Sequence, residues 1–202
     1  MTLTLLDVAA DPNLLMCELV LRDGEKVTFR SLVSNDINNL ATFLIGLSPL
    51  TRQKSFFDSY DHDMARELCD AINKYDKLRF VLEVHQPAIG GRIVGLIEFG
   101  FSIVQDDNEN FRANGFRLSE DTDCRFGLTL SDDYQGKGLG SAAFPCVIEV
   151  ARQFSKSRIF LWGGVRKDND HAIRYYEKHG FKHAGGFTGE DGVENLNMIL
   201  TL

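Results

Sequence analysis

The sequence predicts an α+β (mixed α/β) fold, and three observations carry that expectation. Two β-forming runs, Leu14 to Leu21 and Lys26 to Arg30, flank Asp23-Gly24, a pair suited to a hairpin turn. Strand-like runs recur at Phe80, Leu82 and Val84, at Ile93 to Phe101, at Arg125 to Leu130, at Arg158 to Gly164 and at Leu196, Met198 and Leu200. From about residue 130 onward these runs are separated by segments whose apolar residues repeat at helical spacing. Strands grouped early and then interleaved with helices fit a sheet with helices packed on it.

At 202 residues, the chain has the length of one domain, here 1–202, with an N-terminal extension (1–22) and a polar insertion between strands (104–122). Hydrophobic residues are 44% and charged residues 25%, the mixture of a soluble globular protein. Lys plus Arg is 22 against 29 for Asp plus Glu, a net charge of −7, which argues against nucleic acid or an anionic membrane as partner. No apolar run approaches the roughly 18–20 residues of a membrane span. The opening Met1-Thr2-Leu3-Thr4-Leu5-Leu6 lacks a basic flank and meets Asp7 at once, unlike a signal peptide. A cytoplasmic location is expected. Cys17, Cys69, Cys124 and Cys146 form no C-x-x-C pair, so reduced, buried thiols are expected. His62, His85, His171, His179 and His183 form no ligand cluster in the sequence, and no metal is expected; His179, at a helix end, reads as dipole-stabilising.

Ser34 or Asn35 can cap a helix carrying Ile37, Leu40, Ala41 and Leu44, ended by Gly46. Ser48-Pro49 opens a shorter helix toward Phe57, and Met64, Leu68, Ala71 and Ile72 mark another. The acidic stretch from Gln105 to Asn110, with Phe111 and Phe116 after it, reads as a long loop or an extended hairpin tip. An apolar helix follows from about Lys137 to Phe154. Pro145 within it removes an N–H directed at the Ser141 carbonyl, which predicts a bend. Asn169 caps a helix to His179, and Gly180 stops it.

The chemistry sits where a strand runs into Gln135-Gly136-Lys137-Gly138-Leu139-Gly140. A helix start has unpaired N–H groups and partial positive charge, and glycines let an anion approach the backbone. Two nucleotide motifs fail. A P-loop would need glycine at Ser131 and Ser or Thr at Gly138. A dinucleotide fingerprint would need glycine at Ser141 and an acid near Phe154 to Lys156.

Gln135 to Gly140 instead closely resembles the acyl-CoA-binding motif of the GNAT superfamily of N-acetyltransferases. A second stretch, Asn169-Asp170-His171-Ala172-Ile173-Arg174-Tyr175-Tyr176, followed by Gly180-Phe181, resembles the family's downstream signature. Asn169, Ala172, Ile173 and Tyr176 share one helix face. Phe29-Arg30-Ser31-Leu32 and Leu47-Ser48-Pro49-Leu50-Thr51-Arg52 with Phe56-Phe57 resemble the opening of many bacterial members. The resemblance implies a central, mostly antiparallel twisted sheet of about six to seven strands flanked by helices, with an extra N-terminal hairpin strand. It implies acetyl-CoA as cosubstrate and a primary amine of a small molecule, peptide or protein as acceptor.

By the same resemblance, Gln135, Gly136, Lys137, Gly138, Leu139 and Gly140 hold the CoA pyrophosphate. Leu128, Thr129 and Leu130 offer backbone groups to the pantetheine arm and the carbonyl oxygen, and Asn169, Ala172 and Tyr176 complete the cofactor side. Tyr176 acts as general acid to the leaving sulfur; the alternative is a core tyrosine that only hydrogen-bonds, and Tyr175 is the weaker candidate. Many members carry a Glu where this chain has Arg125. Glu98, within Ile93 to Phe99, is the best substitute base, either facing the cleft or pairing with a cation such as Arg125. Asp123 and a water relay remain alternatives. Arg125 at that position also keeps open a catalytically reduced acyl-CoA-binding regulatory domain. Exposed sheet edges and the apolar residues of the first 22 positions would permit a homodimer.

Overall fold

The computed structural model describes residues 2–55, 57–70, 77–86, 90–189 and 191–202. Phe56, Ala71 and Ile72, named above, lie outside the described residues. The chain divides into two compact units. The first joins residues 3–98 to 128–147, and the second joins residues 99–127 to 148–202, with Thr2.

In the first unit, α1 (Leu5–Ala10) is an element the sequence reading did not anticipate. Thr4 accepts from the Asp7 N–H, and the Asp7 carboxylate accepts from the Thr4 N–H, a reciprocal cap that starts a short helix. The hairpin is present as β1 (Cys17–Val20) and β2 (Lys26–Ser31), antiparallel, with Val20 opposite Lys26. Gly24 turns it at φ +88°, a conformation glycine adopts without Cβ strain. β3 (Lys77–Gln86) runs antiparallel to β2, with Phe29 opposite Leu82, and β4 (Gly90–Gly100) lies beside β3. The rings of Phe29 and Phe80 stack at 4.5 Å.

Two helices, α2 (Ile37–Gly46) and α4 (His62–Cys69), pack on this sheet segment, with α3 (Pro49–Gln53) between them in sequence. Leu40, Leu44, Met64 and Leu68 bury against Val81 and Leu96, each burial contributing about 1.5–3 kcal/mol. Neither Ser34 nor Asn35 caps α2, contrary to expectation. They form a 3₁₀ turn with Asp36, whose carboxylate accepts from the Val33 N–H at 3.0 Å and binds Arg30. Its two acceptor oxygens satisfy a backbone donor and a guanidinium at once. Ser48 does cap α3, accepting from Thr51 N–H at 3.2 Å.

A second correction concerns the cysteines. Cys17 on β1 and Cys146 are joined as a disulfide across 129 positions, whereas Cys69 and Cys124 are free and buried. Chain folding brings the first pair together, which their spacing in sequence does not reveal.

β5 (Asp123–Leu130) has residues 123–127 in the second unit and 128–130 in the first; its second-unit part pairs in parallel with β6 (Arg158–Leu161), and β6 pairs antiparallel with β9 (Glu194–Thr201). β9 also carries β7 (Val165–Arg166) and β8 (Lys182–Thr188), both antiparallel. Nine strands therefore occur among the described residues, more than expected, because β7 is two residues long and the Gly-rich β8 has a register shift between His183 and Gly186.

The stretch expected as a loop or hairpin tip is a helix, α5 (Gln105–Ala113). One buried aromatic, Phe111, packs against Phe160 at 5.2 Å, and Asp107, one turn earlier, turns inward beside it. The remaining polar residues occupy its solvent side. α6 (Leu139–Gln153) continues through Pro145, whose ring lies on the exposed side.

Candidate active site

The first unit holds the glycine-rich turn. Residues 123–126 of β5 are buried, but residues 127–130, including Leu128, Thr129 and Leu130, are half-exposed. The Ser131 N–H donates to the Val94 carbonyl at 2.9 Å, and a 3₁₀ turn, Asp132–Tyr134, follows. Gln135, Gly136, Lys137 and Gly138 are exposed. Gly136 has φ +74° and Gly138 φ +85°, so the backbone itself requires glycine at both. A Cβ at either would meet nothing within 4 Å; the space over the turn is open. The Ala142 N–H donates back to the Gly138 carbonyl at 2.9 Å, so the helix begins directly after the second left-handed glycine. Leu139 and Gly140 are buried in that first turn.

Several side chains pin the turn from below. The Asp132 carboxylate accepts from the Ser48 N–H (2.9 Å), the Ser48 hydroxyl (2.6 Å) and the Thr51 hydroxyl (2.6 Å). Burial opposes ionisation of Asp132, yet these donated bonds outweigh it and hold its carboxyl below the usual range. The Gln135 side-chain amide donates to the Leu130 carbonyl and to Thr51 Oγ1, both at 3.1 Å, and the Gln135 N–H goes to Asp132 O. Gln135 thus staples the turn with its side chain. Asp133 pairs with Arg92 at 2.8 Å. The Tyr134 hydroxyl donates to Glu25 at 2.8 Å and is pushed up to about 12 by burial and that carboxylate. Lys137 Nζ lies 4.8 Å from the Tyr134 ring centre, a cation–π contact that leaves it beside the open turn.

Glu98 lies in the same unit but does not pair with Arg125. Its Oε1 accepts from Arg79 Nε at 2.7 Å. Adjacent strands β3 and β4 place these residues side by side, and Arg125 has other partners. Those partners belong to the second unit. Arg125 approaches Asp107 at 3.5 Å and stacks over Trp162 at 4.0 Å. Asp123, the alternative base, is fully buried and bound twice by Arg158, at 2.6 and 2.5 Å. A carboxylate so enclosed is structural.

The second unit also carries the downstream signature on α7 (Asp170–Lys178). Asn169 Oδ1 accepts from the Ala172 N–H at 3.4 Å, the expected cap. Tyr176 is buried, edge-on to Phe126 and Phe181, and burial raises its pKa. Tyr175 is raised likewise by burial, then by Tyr176, and meets His179 ring to ring at 4.7 Å. Burial and Lys178 lower the His179 pKa, which works against the helix-dipole role expected of it.

Leu128 to Gly140 and Glu98 therefore share one unit, and Asn169, Ala172 and Tyr176 share the other. Ser48, Thr51, Asp132 and Arg79 went unrecognised as site residues in the sequence. The first two lie in the Leu47 to Arg52 stretch that resembles the opening of many bacterial members, but no role was read for them there.

A model of the acetyltransferase (GNAT) family matches residues 50–181. The chain belongs to the GNAT family. Among curated GNAT relatives, a spermine/spermidine N(1)-acetyltransferase of Bacillus subtilis is 34% identical over 104 residues, 50% of this chain and 60% of the relative. The match thus spans about 60% of that relative's length. The GNAT domain of S. lividans PAT shares the fold, with TM-score 0.67 at 20% identity over 95% of this chain and 99% of that one. AAC(6')-Ib in complex with ribostamycin and coenzyme A gives TM-score 0.64 at 19% identity, covering 87% and 93%.

Proposed function

We propose that this GNAT protein transfers an acetyl group from acetyl-CoA to a primary amine. The observation that carries the reading is the exposed turn at Gln135–Gly138, left-handed at two glycines and open above them, at the start of α6. Backbone amides at a helix start suit a diphosphate. Acetyl-CoA supplies an activated thioester, and Gly136, Lys137, Gly138, Leu139 and Gly140 would hold its diphosphate. Asn169 and Ala172 are assigned to the cofactor as well.

The backbone of Leu128, Thr129 and Leu130 would orient the pantetheine arm and the acyl carbonyl. The amine nitrogen bonds to the acyl carbon and the carbon–sulfur bond breaks. Glu98 takes the proton lost by the amine, and Tyr176 donates one to the departing thiolate. The named activity of the Bacillus relative makes polyamines the first acceptors to test. The proposal places the reaction in the cytoplasm, where thiol reductants would act on the Cys17–Cys146 bond.

Thiol release from acetyl-CoA is to be measured against polyamines, aminoglycosides, amino acids and N-terminal peptides. Turnover with at least one amine is expected. Tight CoA binding with no turnover on any of them would overturn the transferase reading in favour of a binding domain.

A further inference from the structure

The polar atoms beneath the turn admit one consistent assignment of protons. Asp132 Oδ2 accepts the Ser48 N–H, and Oδ1 faces the hydroxyls of Ser48 and Thr51, both at 2.6 Å. An ionised carboxylate only accepts, so both hydroxyls must point their hydrogens at it. Ser48 Oγ also lies 3.3 Å from Thr51 Oγ1, but its single hydrogen serves the shorter, charge-assisted bond. With its hydrogen committed, Thr51 Oγ1 presents lone pairs on its other side, and there Gln135 Nε2 donates at 3.1 Å. The second hydrogen of that amide reaches the Leu130 carbonyl, also at 3.1 Å. This fixes which way round the amide lies and ties the exit of β5 to the entry of the glycine turn.

We infer that Asp132, Thr51 and Gln135 form an ordered hydrogen-bond relay that sets the diphosphate-binding turn, with the Thr51 hydroxyl as its central positioning group. The inference rests on the proposed CoA reading. None of the three side chains need touch the ligand. The carboxylate orients a hydroxyl, the hydroxyl orients an amide, and the amide holds the backbone from which Gly136 and Gly138 depart. The segment Ser48–Thr51 is 81–84 positions away in sequence, so the relay also couples the start of α3 to the cofactor turn.

The test uses the full chain, with CoA and S-acetylpantetheine, which keeps the arm and thioester but lacks the diphosphate. Thr51→Val retains the shape and deletes the donor and acceptor. Its CoA dissociation constant and its KM for acetyl-CoA should rise about 10-fold, the size of one lost buried hydrogen bond. Turnover of S-acetylpantetheine and kcat should stay within twofold, and Thr51→Ser should restore CoA affinity. If Thr51→Val does not fold, Asp132→Asn, which takes the charged acceptor away from the Thr51 hydroxyl, must show the same selective loss. Unchanged CoA affinity in a folded variant, or an equal loss toward both ligands, would overturn the relay. A wild-type protein that binds CoA no more tightly than S-acetylpantetheine would instead overturn the diphosphate reading itself.

Discussion

Arg79 and Glu98 face one another on adjacent strands, Nε 2.7 Å from Oε1, with the two side chains 7% and 16% exposed. This contact gives Glu98 two separable roles. As partner of a buried guanidinium it contributes to stability, and breaking such a pair costs roughly 3–5 kcal/mol. As the proposed base it would affect turnover. Glu98→Gln keeps the shape and one acceptor oxygen, and kcat should fall by about 100-fold with KM for acetyl-CoA within twofold. Steady-state assays well below the melting temperature separate the roles. A variant that melts early but turns over normally would leave Glu98 with the structural role alone.

The two left-handed glycines make a different prediction. Because a Cβ at Gly136 or Gly138 would meet nothing within 4 Å, Gly136→Ala and Gly138→Ala should cost only the conformational penalty, roughly 1–2 kcal/mol each. CoA affinity should fall by more than stability accounts for, since the methyl enters the space assigned to the diphosphate. Calorimetric titration with CoA, beside a denaturant melt, measures both quantities.

Local signals in the chain made parts of this architecture legible. Asp23-Gly24 marked the hairpin, Asn169 marked the start of α7, and the glycine spacing marked the left-handed turn at Gly136 and Gly138. Each is decided by residues a few positions apart. Two of the features missed depend on distant partners. Thr51 meets Asp132 across 81 positions and Cys17 meets Cys146 across 129. α5 was hidden for another reason. It buries chiefly Asp107 and Phe111, so its hydrophobic period is too thin to read against its acidic surface.

That same Asp107 lies 3.5 Å from Arg125, the side chains 11% and 4% exposed. Burial raises the Asp107 pKa even against the guanidinium, the mark of a pair whose desolvation is barely repaid. Asp107→Asn leaves Arg125 buried without its counter-charge and should destabilise by roughly 3 kcal/mol. The double variant Asp107→Leu/Arg125→Met should melt within a few degrees of wild type. An additive loss in the double variant would contradict this account of the pair.

Tyr176 supplies the last prediction. Its phenol is enclosed by Phe126 and Phe181, and burial, the cause of its raised pKa, disfavours the phenolate. A raised folded-state value keeps the group protonated throughout the range in which an amine becomes neutral, as a proton donor to a leaving thiolate requires. Tyr176→Phe removes only the hydroxyl, so kcat should fall by about 100-fold while the CoA dissociation constant holds. Tyr175→Phe should change neither by more than twofold. The sign for stability follows from the same burial. Because the folded chain binds the phenolic proton more tightly than the unfolded chain, stability should decline as pH climbs above the unfolded value of about 10. Tyr176→Phe should weaken that alkaline decline, and a melt series from pH 8 to 11 on both proteins reads it directly.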